Sequence, residues 1–313
     1  MKKQAPTKKT VYVAFNGTIA ASFPSAFKKL GYDVLENLDG VIPEVGIVWN
    51  DLRMTTDEQK EIMKVLHKGS NMFILEHGFF KRKDNFQLDK HGFLHKANWV
   101  NLVNTPASER GFEKLKEFLP SGCARMHTST QGKILVVGQN DGDTQLVDSE
   151  VRHSTVFRNL VASCLPKGSN ACFRPHPRTD KKYSSNNLLP TQEIDIIERL
   201  HYRKAKEAVN ITDVLRDVKY IITINSNLIV DALTMGIPAL AFGPHTGINA
   251  RVVKHATVAN LREKIMEMEQ GWRPKQSKVD NYLAWLASVQ WNLAELGEAN
   301  NWREWLKPKE MYT

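Results

Sequence analysis

Short apolar runs alternate with amphipathic stretches along this chain, and that alternation restricts its possible folds more than any other feature. Val11 to Phe15, Val45 to Trp49 and Asn71 to Leu75 read as buried strands. Between the second and third lies Thr55 to Lys68. There Ile62, Met63, Val65 and Leu66 suit one face of a helix, and Thr56-x-x-Gln59 supplies a capping box. Lys133 to Gly138, KILVVG, restarts the pattern after a polar stretch at Thr128 to Gly132. Further strands are expected at Asn170 to Phe173, Tyr220 to Ile224 and Pro238 to Phe242. Strands alternating with helices imply an α/β architecture. The restart sets a boundary near residue 130, and 313 residues suffice for two domains that each bury a core.

Charge and cysteine usage narrow the setting. The formal net charge is +9, with most of the excess before residue 136, and such an excess favours a polyanionic partner. Lys2, Lys3, Lys8 and Lys9 make the first residues a small basic tail. No run approaches the roughly 18 to 20 apolar residues of a membrane span, and the N-terminus lacks the apolar core of a signal peptide. A cytoplasmic protein without a membrane partner is therefore expected. Cys123, Cys164 and Cys172 have no metal-ligand spacing and fit free thiols in a reducing compartment.

Open α/β sheets take their ligands beyond the carboxyl ends of their strands, so the residues just past each expected strand are the first candidates for a site. In the second half these are Gln139-Asn140-Asp141-Gly142-Asp143, Arg174-Pro175-His176-Pro177-Arg178, Asn225-Ser226-Asn227 and Gly243-Pro244. Each alone is an ordinary polar loop, and a lone His-Pro fits a structural turn. Their joint chemistry suits an anion. Arg174 and Arg178 carry planar cationic donors, and two prolines stiffen the loop that holds His176. Ser226 and Asn227 are suitable N-caps for a helix running through Met235, whose first N–H groups would face an anion. Gly236-Ile237-Pro238 would end that helix and launch the next strand.

FRPHPR, followed some fifty residues on by YIITINSNLIVDALTMGIPALAFG, resembles the His-Pro and Ser motifs of a group of GT-B glycosyltransferases. That group includes the capsule polysaccharide Kdo transferases, several sialyltransferases and the glycerophosphotransferases of teichoic acid synthesis. ILVVGQNDGDTQL resembles the Gln-x-x-x-Asp strand end of the capsule enzymes, and NYLAWLASVQWNLAEL resembles their C-terminal helix. The resemblance covers residues 133 to 245 and 281 to 296, with a looser match at LEHGFF. It implies two facing Rossmann-like domains: an acceptor domain over residues 1–130 and a nucleotide-sugar domain over 131–280. The C-terminal helices, 281–313, would cross back onto the first domain. It also implies that His176 and Ser226 hold the nucleotide phosphates; Arg174 is a helper from its position alone, and Arg178, Asn225 and Asn227 are donor-binding candidates in the same loops. Gln139, Asp141 and Asp143 would line the donor cleft. Asp231 stands near an acidic residue that related enzymes use for a ribose or sugar hydroxyl, and it reads equally as a solvated helix carboxylate. The family often has two serines where this chain has Asn225-Ser226, and the same loop serves CMP, CDP and UDP donors. A UDP-sugar is the favoured cofactor and a CMP-sugar fits too. The motifs require no metal, and a loosely held Mg²⁺ is compatible with them.

A glycosyl transfer also needs a group to accept the proton of the attacking hydroxyl. Asp51 in VWNDLR and Glu76 in FILEHGFF are the two strand-end carboxylates of the first half, with Glu76 slightly favoured. Either reads equally as a cap of the next element. Asn16-Gly17-Thr18 reads as a close-approach turn beside the donor rather than a catalytic group, and Asn16 is also a candidate acceptor contact. Residues 77 to 96, HGFFKRKDNFQLDKHGFLHK, interleave phenylalanines with cations. His77, Phe79, Lys81, Arg82 and Lys83 are therefore candidates to bind an acceptor with a phosphate backbone and stackable bases. The alternative is a β-hairpin whose phenylalanines are core and whose lysines face water, with HGFF and HGFL as its two arms. Three readings of function follow. The favoured acceptor is a hydroxymethylated pyrimidine base in DNA, as in phage DNA-modifying GT-B enzymes. The alternative is a transferase building a surface polysaccharide or lipid-linked glycan. The third, a nucleic-acid-binding protein without catalysis, sits poorly with His176, Ser226 and an available carboxylate.

Overall fold

The computed structural model describes residues 9–49, 56–127, 130–176, 194–196 and 211–307, with residues 194–196 described by backbone alone. The described chain divides into two compact units. One comprises the residues up to Leu102, Ser108–Lys114 and those from Trp285 onward, and the other Val103–Ala107 and Leu115–Ala284. The basic tail before Lys9 lies outside the described residues.

In the first unit β1 (Thr10–Val13), β2 (Asp33–Leu35), β3 (Val45–Trp49) and β4 (Asn71–His77) pair in parallel, in the order β4-β3-β1-β2. β5 (Asn85–Asp89) pairs antiparallel to β4. Parallel strands are covered on both faces, which is why β3 is an unbroken apolar run. The helix expected at Thr55 to Lys68 is α2 (Asp57–His67); α1 is Phe23–Lys29. Both halves of the capping box form: Gln59 N donates to Thr56 Oγ1 at 3.2 Å, and Thr56 N donates to Gln59 Oε1 at 3.3 Å. Gly46 lets α2 approach β3, because a Cβ there would lie 2.8 Å from Leu66 Cδ2.

In the second unit β6 (Lys133–Val137), β7 (Ala171–Arg174), β8 (Ile194–Ile196), β9 (Val218–Thr223), β10 (Ala239–Ala241) and β11 (Lys254–His255) form a parallel sheet in the order β11-β10-β9-β6-β7-β8. α3 (Glu109–Phe118) precedes β6, and the division between the units falls within it. α4 (Ser154–Cys164) follows β6, α5 (Ile211–Leu215) precedes β9, and α6 (Leu228–Thr234) links β9 to β10. α7 (Thr246–Asn249) follows β10, and α8 (Leu261–Glu269) and α9 (Gln276–Ser288) follow β11. One core joins both layers, with Ile134, Val136, Phe157, Val161, Ile222, Leu240 and Ile265 all fully buried. Gly236 has φ +75°, and a Cβ on it would overlap the carbonyl oxygen of Arg125, so the turn from α6 into β10 requires glycine.

The C-terminal stretch departs from the single helix suggested over residues 281–296. α9 stops at Ser288, and β12 (Gln290–Asn292) pairs antiparallel with β5 at the edge of the first unit's sheet. Asn292 then caps α10 (Leu293–Leu296) through a second capping box with Glu295. α11 (Ala299–Trp305) follows. Lys114 Nζ donates to Gln290 O at 2.6 Å and pairs with Glu295, and the Arg110 guanidinium lies 4.1 Å from the centre of the Trp291 ring. Trp302 completes the core of this unit, edge-on to Phe23 and Phe73 and tilted on Phe27. No helix among the described residues is long and apolar enough to cross a membrane.

Trp302→Ala empties the centre of that aromatic cluster and should cost about 3–5 kcal/mol. The check is the denaturant midpoint of the transition that carries the first unit's tryptophan fluorescence, which should fall accordingly.

Candidate functional site

Sheet register places the strand ends of the second unit along one edge. Val137 is level with Arg174 on one side and with Thr223 on the other, and Thr223 is level with Ala241. The chain leaves β6 toward β7 and β8, then returns at β9 on the opposite side, so β6 and β9 flank a topological switch point. Gly138 closes β6 with its N–H donated to Arg174 O at 2.8 Å, and a Cβ there would stand 2.8 Å from Phe173 Cζ.

Gln139 bridges the switch point. It is 4% exposed, and its Oε1 accepts from Asn225 N at 3.3 Å while Asn225 Nδ2 donates to Gln145 O at 2.7 Å. The backbone of Gln139 is held by Ser154, the first residue of α4. Ser154 Oγ accepts from Gln139 N at 2.7 Å and donates to Gln139 O. Ser154 N donates to Asp141 Oδ1 at 2.8 Å, so Asp141 caps α4 with its charge at the favourable end of the helix dipole. The other Asp141 oxygen lies 3.8 Å from His153 Nδ1. Asp143 Oδ1 accepts from Gln145 N at 3.1 Å and stabilises the same loop.

The β9 end differs in detail from the expected cap. Asn227 precedes α6 without capping it by side chain, whereas Ser226 Oγ accepts from Leu228 N at 3.3 Å. Ser226 N donates in turn to Thr223 Oγ1 at 3.3 Å. Arg174 ends β7 half-buried, Pro175 is buried and His176 is half-buried beyond it. Pro177 and Arg178 lie outside the described residues. Asp231 sits in the first turn of α6, half-buried. Gly243 N donates to Ile224 O at 2.7 Å, which ties the β10 end to the β9 end, and a Cβ on Gly243 would overlap Ser149 Oγ. His245 is buried two residues on, and its Nδ1 accepts from Gly247 N at 3.0 Å, which puts any neutral-ring proton on Nε2. Ser149, Ser154 and His245 belong to this edge and were not singled out from sequence. Only His245 left a trace there, two residues past a strand end.

In the first unit Glu76 is 4% exposed and its Oε1 accepts from His77 N at 2.7 Å. It lies in a row of buried polar side chains across three strands, Glu76 opposite Gln87 and Gln87 opposite Gln290. Gln87 Nε2 donates to His77 O at 2.9 Å; Gln290 Oε1 accepts from Phe80 N at 2.8 Å and from Phe79 N. The His77 ring sits edge-on to Trp49 and over Phe86, and its Nδ1 meets Arg82 O at 3.0 Å. Asn16 is exposed in the bend after β1, beside Gly17 at φ +103°. Asp51 lies outside the described residues.

Phe79 corrects the expectation of a base-stacking surface. It is 2% exposed with its ring edge-on to Trp99, and Phe80, Phe86 and Phe93 are buried as well. The segment is a hairpin of β4 and β5 with its phenylalanines inside and Lys81, Arg82 and Lys83 in solvent. HGFL is not its second arm; it follows β5, in a loop held by the buried Asp89 carboxylate, which accepts from the N–H groups of His91, Gly92 and Asn98. Burial pushes the Asp89 carboxyl up and these three donors pull it back. Among the described residues no group of three or more His, Cys, Asp or Glu side chains is gathered as a metal site would need.

No protein-family model matches the chain, and no curated protein matches its sequence. Solved structures do match. The KpsC β-Kdo 2,4 transferase of Thermosulfurimonas dismutans aligns with a TM-score of 0.55 at 17% identity, over 90% of this chain and 90% of that one. The KpsC β-Kdo 2,7 transferase of the same organism aligns with a TM-score of 0.54 at 17% identity, over 82% and 88%. The fold is that of the GT-B glycosyltransferases. At this identity the likeness speaks for the arrangement of strands and helices, and the chemistry rests on the residues above.

Ser154→Ala removes both bonds to Gln139 and leaves a buried N–H unsatisfied. It should destabilise the second unit by about 1–3 kcal/mol, as measured by urea unfolding.

Proposed function

We propose that this protein transfers a sugar from a nucleotide-sugar donor to a hydroxyl of a surface polysaccharide or lipid-linked glycan. The observation that carries the reading is the aligned strand-end edge of the second unit, where Gln139 bridges to Asn225 at the topological switch point of a GT-B fold. Glycosyl transfer breaks the bond between the anomeric carbon and a phosphate oxygen, so negative charge grows on the leaving nucleotide. Donors held ready for that charge are the main requirement of the site. Arg174 and His176 supply cationic or hydrogen-bonding groups at the rim, and Ser226 supplies a hydroxyl two strand ends away, beyond β6. The acceptor oxygen attacks the anomeric carbon, and its proton passes to a carboxylate, Glu76 or Asp51.

The donor is a nucleotide sugar; a uridine nucleotide is favoured and a cytidine nucleotide suits the same loops. Two observations favour a glycan acceptor over a hydroxymethylated base in DNA. The structural neighbours are named as Kdo transferases, and the phenylalanines that would have stacked on bases are buried.

The test incubates the protein with CMP- and UDP-sugars and with glycan or hydroxymethylated DNA acceptors, and reads sugar addition by mass spectrometry. Addition to glycan alone is expected, and addition to DNA alone would reverse the acceptor assignment. His176→Ala should lower turnover by about 10²–10³ with the unfolding midpoint unchanged. Glu76→Gln keeps an oxygen for His77 N and removes the carboxylate. A fall in turnover of about 10² or more would identify Glu76 as that base, and unchanged turnover would move the role to Asp51.

A further inference from the structure

The turn between β4 and β5, residues 78–84, leaves the carboxyl edge of the first unit's sheet, where open α/β sheets take their ligands. Its backbone is held at nearly every residue. Gly78 N donates to Asn85 O at 2.7 Å, Asp84 N donates to Lys81 O at 2.9 Å, and Asn85 Nδ2 donates to the same oxygen at 3.3 Å. The amides of Phe79 and Phe80 are held by Gln290, which is fully buried, and Arg82 O by the His77 ring. Gly78 admits no side chain, since a Cβ would overlap Gln290 Oε1. Lys81 adopts φ +42°, a left-handed conformation that costs a side-chain-bearing residue about 1–2 kcal/mol and persists where the surroundings enforce it.

This anchored, strained backbone presents three consecutive exposed cations, Lys81, Arg82 and Lys83, followed by the exposed Asp84. Among the described residues neither Arg82 nor Lys83 has an ion-pair partner. Cations needed only for solubility require no such scaffold. Beneath them Phe79 and Phe80 are buried, so the turn offers charge and guanidinium hydrogen bonds without aromatic faces. Nucleic-acid single strands and flipped bases draw on exposed rings. Carboxylates and phosphates spaced along a sugar chain need only fixed cations, with Arg82 able to grip either oxyanion in bidentate fashion.

We propose that Lys81, Arg82 and Lys83 form an anchoring site for an acidic glycan, a sugar chain bearing carboxylate or phosphate groups. Calling that chain the acceptor rests on the transferase reading above; the binding itself does not. The test uses the full chain and needs no donor. Fluorescence anisotropy compares a labelled oligogalacturonate, its fully methyl-esterified neutral form, a phosphorylated oligomannoside and a DNA duplex of matched charge. The acidic glycans should bind, more weakly as salt rises, and the neutral form should not. The tighter of the two tells whether carboxylate or phosphate is the preferred anion. Replacing all three cations, Lys81→Gln, Arg82→Gln and Lys83→Gln, should reduce affinity for the acidic glycan about tenfold. The double variant R82Q/K83Q, which leaves the strained Lys81 in place, should show most of that loss. Wild-type affinity in both variants, equal binding of the neutral form, or tighter binding of the duplex that is lost in the variants would overturn the proposal. Glycan binding that survives a failure of sugar transfer would leave the site standing and remove only the acceptor label.

Discussion

The pairing of β6 with β7 on one side and β9 on the other is the constraint on which the second unit depends. A parallel sheet covered on both faces leaves little room for polar side chains at the middle of its strands. Ile134, Leu135, Val136, Ile221 and Ile222 accordingly fill that space. Polar chemistry is displaced to the strand ends, and the register decides which ends meet. Because Val137, Arg174, Thr223 and Ala241 are level, residues far apart in sequence emerge side by side. The bond from Asn225 N to Gln139 Oε1 follows from that alignment.

Buried parallel strands were legible because continuous apolar runs have few other uses at that length. Lys133–Val137 and Val45–Trp49 appear within a residue of where they were expected, and Thr56-x-x-Gln59 announced its helix through a purely local hydrogen-bond pattern. β5 and β12 were not legible. NFQLD and QWN carry amides and a carboxylate that normally signal exposure. Their burial is made tolerable only by partners across the sheet, such as the Phe79 and Phe80 amides on Gln290. Those partners are some 210 residues away in the chain, so no window of sequence contains them.

The same distinction separates the site residues. Gln139, Asn225 and Ser226 stand just past strand ends, as the apolar runs before them implied, and His176 stands two residues past β7. Ser154 and Ser149 act through tertiary hydrogen bonds or contacts and looked like any other serine. The phenylalanines of residues 77–96 show the converse. Their interleaving with lysines suggested a stacking surface, yet alternation in a hairpin states only that two faces differ. Trp99, which packs on Phe79, is what reveals the apolar face as the inner one.

Burial also sorts the polar groups of the strand-end edge by charge. Gln139, Asn225 and Ser154, which are neutral, occupy the interior, where a hydrogen-bonded amide or hydroxyl costs little and an uncompensated charge costs several kcal/mol. Arg174 and His176 stand at the half-buried rim, where water shares their solvation. Asp141 is half-buried as well, and it is stabilised there by the N-terminus of α4.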